Sequence, residues 1–422
     1  MEPLNDQRDS NVAPNNKMSA KVIVCLILLF VIIILLITAL VLVIFLKKTE
    51  VIEKIIEIEP EENTIFWNIY GSIISNISYS ENGKIINTFK ENGENYNESI
   101  GNINNGKDYD ENKRNIYDLY IPYSATKRKN ETNGILLFIH GGSWIEGDKE
   151  NMAMLCRMYE EMGYITATMS YTLLNGKYKE YNIFRIIDEI TACIQNIIEQ
   201  LKKREFSEDK LKIAIGGYSA GGHLTLLYTY LIKNSPLKIE FAINLCGPAS
   251  LEPKYYYKLV KFNDTLDNLY LPEIEKALES KRIVRTKDND STLLWFMNIF
   301  IGQKYSQKDL NEMLLENGKI NTNNTKYIEM FNIVSNAFPS NIEDKNKIPT
   351  ICFYGGNDDV VGVTQFAYLN KKAEDEGKKI IHIYSRYADH NYLNFETENG
   401  INALRELNYQ INDLGKALFN TN

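Results

Sequence analysis

The chain has 422 residues, 44% of them apolar, enough for one large domain or two ordinary ones with a real core. A net charge of −8 argues against nucleic acid and against a bare anionic membrane surface as the main partner. Five scattered cysteines show neither a disulfide framework nor metal-like spacing and read as buried thiols, and four histidines leave a short roster for any imidazole chemistry.

In chain order, residues 1–21 are a polar tail. Val22 to Leu46, "VIVCLILLFVIIILLITALVLVIFL", is 25 residues without a charge, long enough as a helix to cross a bilayer. It exceeds the apolar core of a cleaved signal peptide and runs directly into Lys47-Lys48, so the expectation is an uncleaved transmembrane signal anchor. Arg8, Lys17 and Lys21 before the span nearly balance Lys47 and Lys48 after it, a weak positive-inside bias. A short polar N-terminus before one span places the large C-terminal part outside, as a single-pass membrane protein.

Residues 47–115 read as a stalk and an Asn-rich linker carrying the first strands. Val51, Ile55 and Ile58 fall near one helical face ahead of Pro60, which suits a short stalk helix. A solvated spacer is the plainer reading, self-association through the stalk the alternative. "ENGKIINTF" and "ENGENYNESIGNINNGKDYDEN" read as turns and loose hairpins. Asparagine is abundant throughout, so six N-x-S/T triplets, such as Asn76-Ile77-Ser78, carry little weight as glycosylation sites.

From about residue 116 to 418 the pattern changes. "NIYDLYIP" and apolar runs at 134–140, 164–171, 211–217, 241–247, 349–355 and 378–385 read as strands buried on both faces. Helix-like segments at 149–161, 183–203, 220–233, 363–376 and 399–418 lie between them. Strands alternating with helices predict an α/β domain, a mostly parallel sheet with helices on both sides. Residues 250–345 break the rhythm and include the apolar stretch "STLLWFMNIFI" (291–301). The expectation is an inserted cap over the C-terminal edge of the sheet, the alternative a helical excursion packed on its side.

Gly217-Tyr218-Ser219-Ala220-Gly221 is a G-x-S-x-G between an expected strand and an expected helix, the setting of a nucleophile elbow. A serine hydroxyl needs a base. His223, one helical turn after Ser219, suits a structural role, His382 inside a strand suits a packing role, and His140 opens "HGGSW" at the end of an earlier strand. His390, in "YADHNYL" past the last strand, is the best base by position. Asp358 and Asp359, in "GGNDDVVGV", can orient the imidazole, giving the chain order Ser219, Asp358, His390. Acyl transfer also needs backbone N–H groups aimed at the developing oxyanion. Ala220 can give one, and Gly141, Gly142 or Ser143 others.

These motifs, with "DLYIP" (118–122), "HGGSW" (140–144), "GYSAGGH" (217–223), "GGNDDVVGV" (355–363) and Asp389-His390, resemble the α/β-hydrolase superfamily. Within it the chain looks like the esterase and lipase-like branch with an H-G-G-x-W motif, which holds carboxylesterase-like, feruloyl esterase-like and kynurenine formamidase-like members. The resemblance implies an α/β-hydrolase fold and G-x-x-D-x-x-V spacing, which Gly355, Asp358 and Val361 fit, so Asp358 is preferred over Asp359. It implies a catalytic set of Ser219, Asp358 and His390, an oxyanion hole of Gly141, Gly142 and Ala220, a small-molecule ester substrate, and no metal or organic cofactor. Two departures weaken transfer of a substrate: Tyr171-Thr172-Leu173 where relatives often have Tyr-Arg-Leu, and Gly362 where a proline often stands. Amide cleavage by the same machinery, arylformamidase-like or peptidase, is the alternative; a non-catalytic binding or adhesion module on the same fold is another.

Overall fold

The computed structural model describes residues 66–68, 71–81, 84–85, 114–174, 181–232, 234–259, 276, 279–280, 283–286, 289–385, 388–391 and 398–419. The expected anchor at 22–46, the expected stalk helix and the polar tail lie outside them. Among the described residues no helix is long and apolar enough to cross a membrane.

Nine strands make one sheet: β1 (Phe66–Asn68), β2 (Gly71–Ser78), β3 (Ile116–Pro122), β4 (Asn133–Ile139), β5 (Ile165–Met169), β6 (Leu211–Tyr218), β7 (Ile239–Leu245), β8 (Thr350–Gly355) and β9 (Ile380–Ser385). Their spatial order is β1-β2-β3-β5-β4-β6-β7-β8-β9. From β5 to β9 every pairing is parallel, and β1, β2 and β3 join antiparallel at one edge. This is the α/β-hydrolase architecture, a mostly parallel sheet.

The helices that matter here are α1 (Ala153–Glu161), α2 (Ile183–Lys202), α3 (Ala220–Leu231), α4 (Asp290–Phe300), α5 (Gln307–Glu312), α6 (Thr325–Val334), α7 (Thr364–Glu376) and α8 (Glu398–Phe419). Residues β4, β5, β7 and β8 are buried along their whole length. Side-chain alternation divides them between two layers. Ile135, Leu137 and Ile139 of β4 face α2 and the inserted helices, while Leu136 and Phe138 face α1, α7 and α8. Continuous apolar runs therefore mark strands covered on both faces.

Two strands depart from that pattern. β9 is an edge strand and only half-buried, so its apolar run is covered on fewer sides than expected. His382 on it is exposed; its Nε2 lies 2.7 Å from Asn370 Oδ1 and its ring packs edge-on against Phe366. β2 lies in the 47–115 region expected to carry the first strands. It bends at a bulge between Ile74 and Ile77, where Asn76 takes φ 57° and donates its backbone N–H to Asp118 Oδ1 (2.8 Å). The second Asp118 oxygen meets Lys149 Nζ at 2.9 Å, so this buried carboxylate is paired.

Between β7 and β8, Tyr257–Leu259 pairs antiparallel with Ile283–Arg285, and α4, α5 and α6 follow. The apolar 291–301 stretch becomes α4, capped by Asn289, whose side chain accepts from Thr292 N (2.9 Å). Phe296 and Phe300 of α4 pack on Trp144, at the C-terminal end of β4. The four described cysteines, Cys156, Cys193, Cys246 and Cys352, are buried free thiols.

Candidate active site

Ser219 stands where β6 turns into α3. Its φ of 53° and ψ of −118° are strained for a residue with a side chain, a cost of order 1–3 kcal/mol that the surroundings must offset. The turn is tight. A Cβ on Gly217 would fall 2.2 Å from Gly221 O, and one on Gly221 would fall 2.0 Å from Ile139 O. Only glycine fits either place. Ser219 N–H donates to Leu245 O (2.8 Å), and Ser219 O accepts from His223 N (3.0 Å), so the residue is held from both sides.

His390 Nε2 lies 3.0 Å from Ser219 Oγ, and His390 Nδ1 lies 2.8 Å from Asp358 Oδ2. A carboxylate only accepts, so the proton sits on Nδ1 and Nε2 is free to take the serine proton. Asp358 is fully buried, and its other oxygen accepts from Val360 N (2.9 Å) and Val361 N (2.8 Å). Its loop and the His390 loop are tied together by Gly356 N to Ser385 O (3.0 Å) and Asn357 N to Ala388 O (3.1 Å). Asp358, of the Asp358-Asp359 pair, meets the imidazole. Asp389 turns its carboxylate to Asn391 N (2.8 Å).

The "HGGSW" turn runs beside the serine. Gly142 (φ 107°), Ser143 (φ 50°) and Trp144 (φ 63°) are successively left-handed, and a Cβ on Gly141 would lie 3.2 Å from Ser219 Cβ. Gly141 on this turn and Ala220 at the first position of α3 therefore flank Ser219 from two sides, and Gly142 follows Gly141. Trp144 anchors the turn. Its indole donates to His223 Nδ1 (3.2 Å) and packs edge-on against Phe296 and Phe300.

An indole N–H only donates, so His223 accepts at Nδ1 and donates from Nε2 to Ala337 O (2.8 Å). His140 is settled the same way. The Arg114 guanidinium faces its Nε2 at 3.3 Å, so Nδ1 carries the proton and donates to Gly141 O at 2.6 Å. The ring stacks on Tyr171, 4.1 Å between centroids. Burial lowers the pKa of both His140 and His223 to about 4, so both are neutral supports. Of the four histidines, His390 is the one that reaches Ser219.

Motif reading missed several neighbours. Tyr218 donates its hydroxyl to His390 O (2.6 Å), which pins the histidine loop from within the serine motif itself. Cys246, in a left-handed conformation (φ 44°), brings its thiol beside the pair. Its Sγ and the side-chain ligand atoms of Asp358 and His390 lie within 4.8 Å of one another, the one such group among the described residues able to hold a metal ion. Burial raises the thiol pKa, and Asp358 and His390 already satisfy each other, so the arrangement suits proton transfer better than ligation. Cys246 carries no sequence signal beyond its place after β7.

A family model described as BD-FAE matches residues 117–373, more than half of the chain. An arylesterase of Saccharolobus solfataricus is 30% identical over 125 residues, 29% of this chain and 38% of that protein. A probable isoprenylcysteine alpha-carbonyl methylesterase of Oryza sativa subsp. japonica is 30% identical over 123 residues, 28% of this chain and 27% of that one. The match thus spans under two fifths of the length of either relative. Among solved structures, esterase B of Lactobacillus rhamnosis is similar at a TM-score of 0.48 and 18% identity, over 73% of this chain and 83% of that one.

Proposed function

The chain belongs to the BD-FAE family, an esterase-like α/β-hydrolase family, and from that premise we propose that it is a serine hydrolase of carboxylic esters held to a membrane by residues 22–46. The observation that carries the reading is the continuous hydrogen-bonded line from Ser219 Oγ through His390 to Asp358, 3.0 and 2.8 Å long, at a strained turn. Ser219 Oγ attacks the ester carbonyl while His390 Nε2 takes its proton. Asp358 holds the tautomer and stabilises the imidazolium. The N–H groups of Gly141, Gly142 and Ala220 receive the oxyanion. His390 then gives its proton to the leaving alcohol, and the acyl-enzyme forms. Water, deprotonated by His390, hydrolyses it and restores the serine.

The names of the partial relatives, an arylesterase and a methylesterase, favour small-molecule esters over amides. The inserted 250–345 segment, packed through α4 on the turn beside Ser219, is the part best placed to choose among them. Membrane attachment is supported by the 25 uncharged residues from Val22 to Leu46, and an extracytoplasmic domain is part of the same proposal.

The test uses the full chain in detergent with p-nitrophenyl acetate, butyrate and octanoate, beside Ser219→Ala. Hydrolysis that vanishes with the serine supports the reading. No turnover, and no fluorophosphonate labelling at Ser219, would sink it. Labelling without ester turnover points to amide substrates. For the anchor, the expected outcome is a full chain that stays with membranes through alkaline carbonate extraction and a chain lacking residues 1–46 that is released.

A further inference from the structure

Arg114 lies just before β3, three residues upstream of the stretch that the family match covers. Its guanidinium makes four contacts, all to the turn beside Ser219 or to that turn's immediate support. Nη2 donates to Gly147 O (2.9 Å) and faces His140 Nε2 (3.3 Å). Nη1 donates to Asp148 Oδ2 (3.0 Å), and Nε donates to Tyr171 O (3.2 Å). The fork thereby joins the first residue of the 140–148 loop to its last two and to the end of β5. Gly147 closes the same loop from within, since a Cβ there would fall 2.5 Å from His140 Nδ1 and 2.6 Å from Gly141 O.

The consequence runs through His140. A guanidinium cannot accept a hydrogen bond, so Arg114 forces the tautomer in which His140 Nδ1–H points at Gly141 O. The Tyr171 hydroxyl donates to His140 O (3.2 Å) and also approaches Gly141 O (3.4 Å). With the Gly141 carbonyl taken up on the His140–Tyr171 side, the peptide that links it to Gly142 N–H has a fixed orientation. We infer that Arg114 is a positioning residue: through His140 and the Gly147–Asp148 end of the loop it sets the direction of the Gly142 N–H that receives the oxyanion. This rests on the hydrolase reading of the site. Lysine could not replace it, because an ammonium cannot reach four acceptors arranged around a planar fork.

The test compares full-length wild type, Arg114→Met and Arg114→Lys, each with its Ser219 titrated by a fluorophosphonate and its melting temperature measured. Misaiming one oxyanion donor costs on the order of 10²-fold, so kcat per titrated serine should fall about 30- to 100-fold in Arg114→Met with KM changed less than about 3-fold. The phosphonylation rate should fall with it, because the phosphonyl oxygen uses the same donors, and Arg114→Lys should fall between. A kcat per titrated serine within about 2-fold of wild type overturns the inference. So does a loss confined to KM, or one that tracks only the fraction of folded protein, since the arginine would then merely stabilise the loop. A wild type that labels but turns over no ester sinks the ester reading alone, and the phosphonylation rates still decide Arg114. A wild type that does neither sinks both.

Discussion

The proposed roles of Ser219, His390 and Asp358 differ enough to be separated by single substitutions. Ser219→Ala should lower kcat by about 10⁶-fold, since one member of a set that works as a unit removes most of its effect. Asp358→Asn should lower kcat by about 10⁴-fold with little loss of stability. Its amide oxygen can still accept from Val360 N and Val361 N, but its NH₂ would face His390 Nδ1 and impose the wrong tautomer. Steady-state kinetics together with melting temperatures check both. The supporting histidines titrate differently. His140 and His223 have pKa values of about 4 when folded against 6.5 in the reference state. The unfolded chain therefore binds more protons between those values, and stability is lost as pH falls from about 6.5 towards 4. Each group contributes on the order of 3 kcal/mol over that window. Denaturant midpoints measured across it should fall with acid, and His223→Leu should flatten the slope even though it lowers the midpoint at pH 7. An unchanged slope would remove His223 from this account.

Elements carry the next set of constraints. α2 begins at Asn182, whose side chain accepts from Phe184 N (3.0 Å) and Arg185 N (3.3 Å). Asn182→Ala should cost about 1 kcal/mol, read from the unfolding midpoint, with kcat unchanged. α3 is less tolerant, because Gly221 is pressed against the carbonyl end of β4. Gly221→Ala must move the helix or the strand, and overpacking of this kind costs about 1–3 kcal/mol. The same shift displaces Ser219 from His390, so activity should fall by more than the loss of folded protein explains. The loops are built for the opposite purpose: Gly355 ends β8 with Ala388 O so close that a Cβ would meet it at 2.3 Å, which keeps the Asp358 and His390 loops in register.

At the scale of the whole molecule, the alternation of strands and helices was legible because strands covered on both faces must be apolar throughout. β9 was overread, since an edge strand keeps its apolar composition while losing cover on one side. β2 lies in the region expected to carry the first strands, but the bulge between Ile74 and Ile77 breaks the alternation that would fix its bounds. At the site, Ser219, Asp358 and His390 could be picked out because the motif and the chain order point to them. Arg114, Tyr171 and Cys246 could not. Their place beside the site comes from meeting partners dozens of residues away, as when Arg114 reaches Tyr171, and no local pattern records that meeting. The His223 link from Trp144 to Ala337 is likewise invisible before the chain folds, although "HGGSW" and "GGYSAGGH" are each conspicuous.

The hydrogen bond between Ser219 and His390 joins residues 171 positions apart in the chain. Synthesis runs from the N-terminus, so the serine emerges from the ribosome long before its base does. If residues 22–46 insert as they emerge, the growing polypeptide is already fastened to the membrane while its hydroxyl has nothing to give its proton to. Such a chain is born inert. On the proposed mechanism, ester cleavage would begin only once the His390 loop docks beside Ser219.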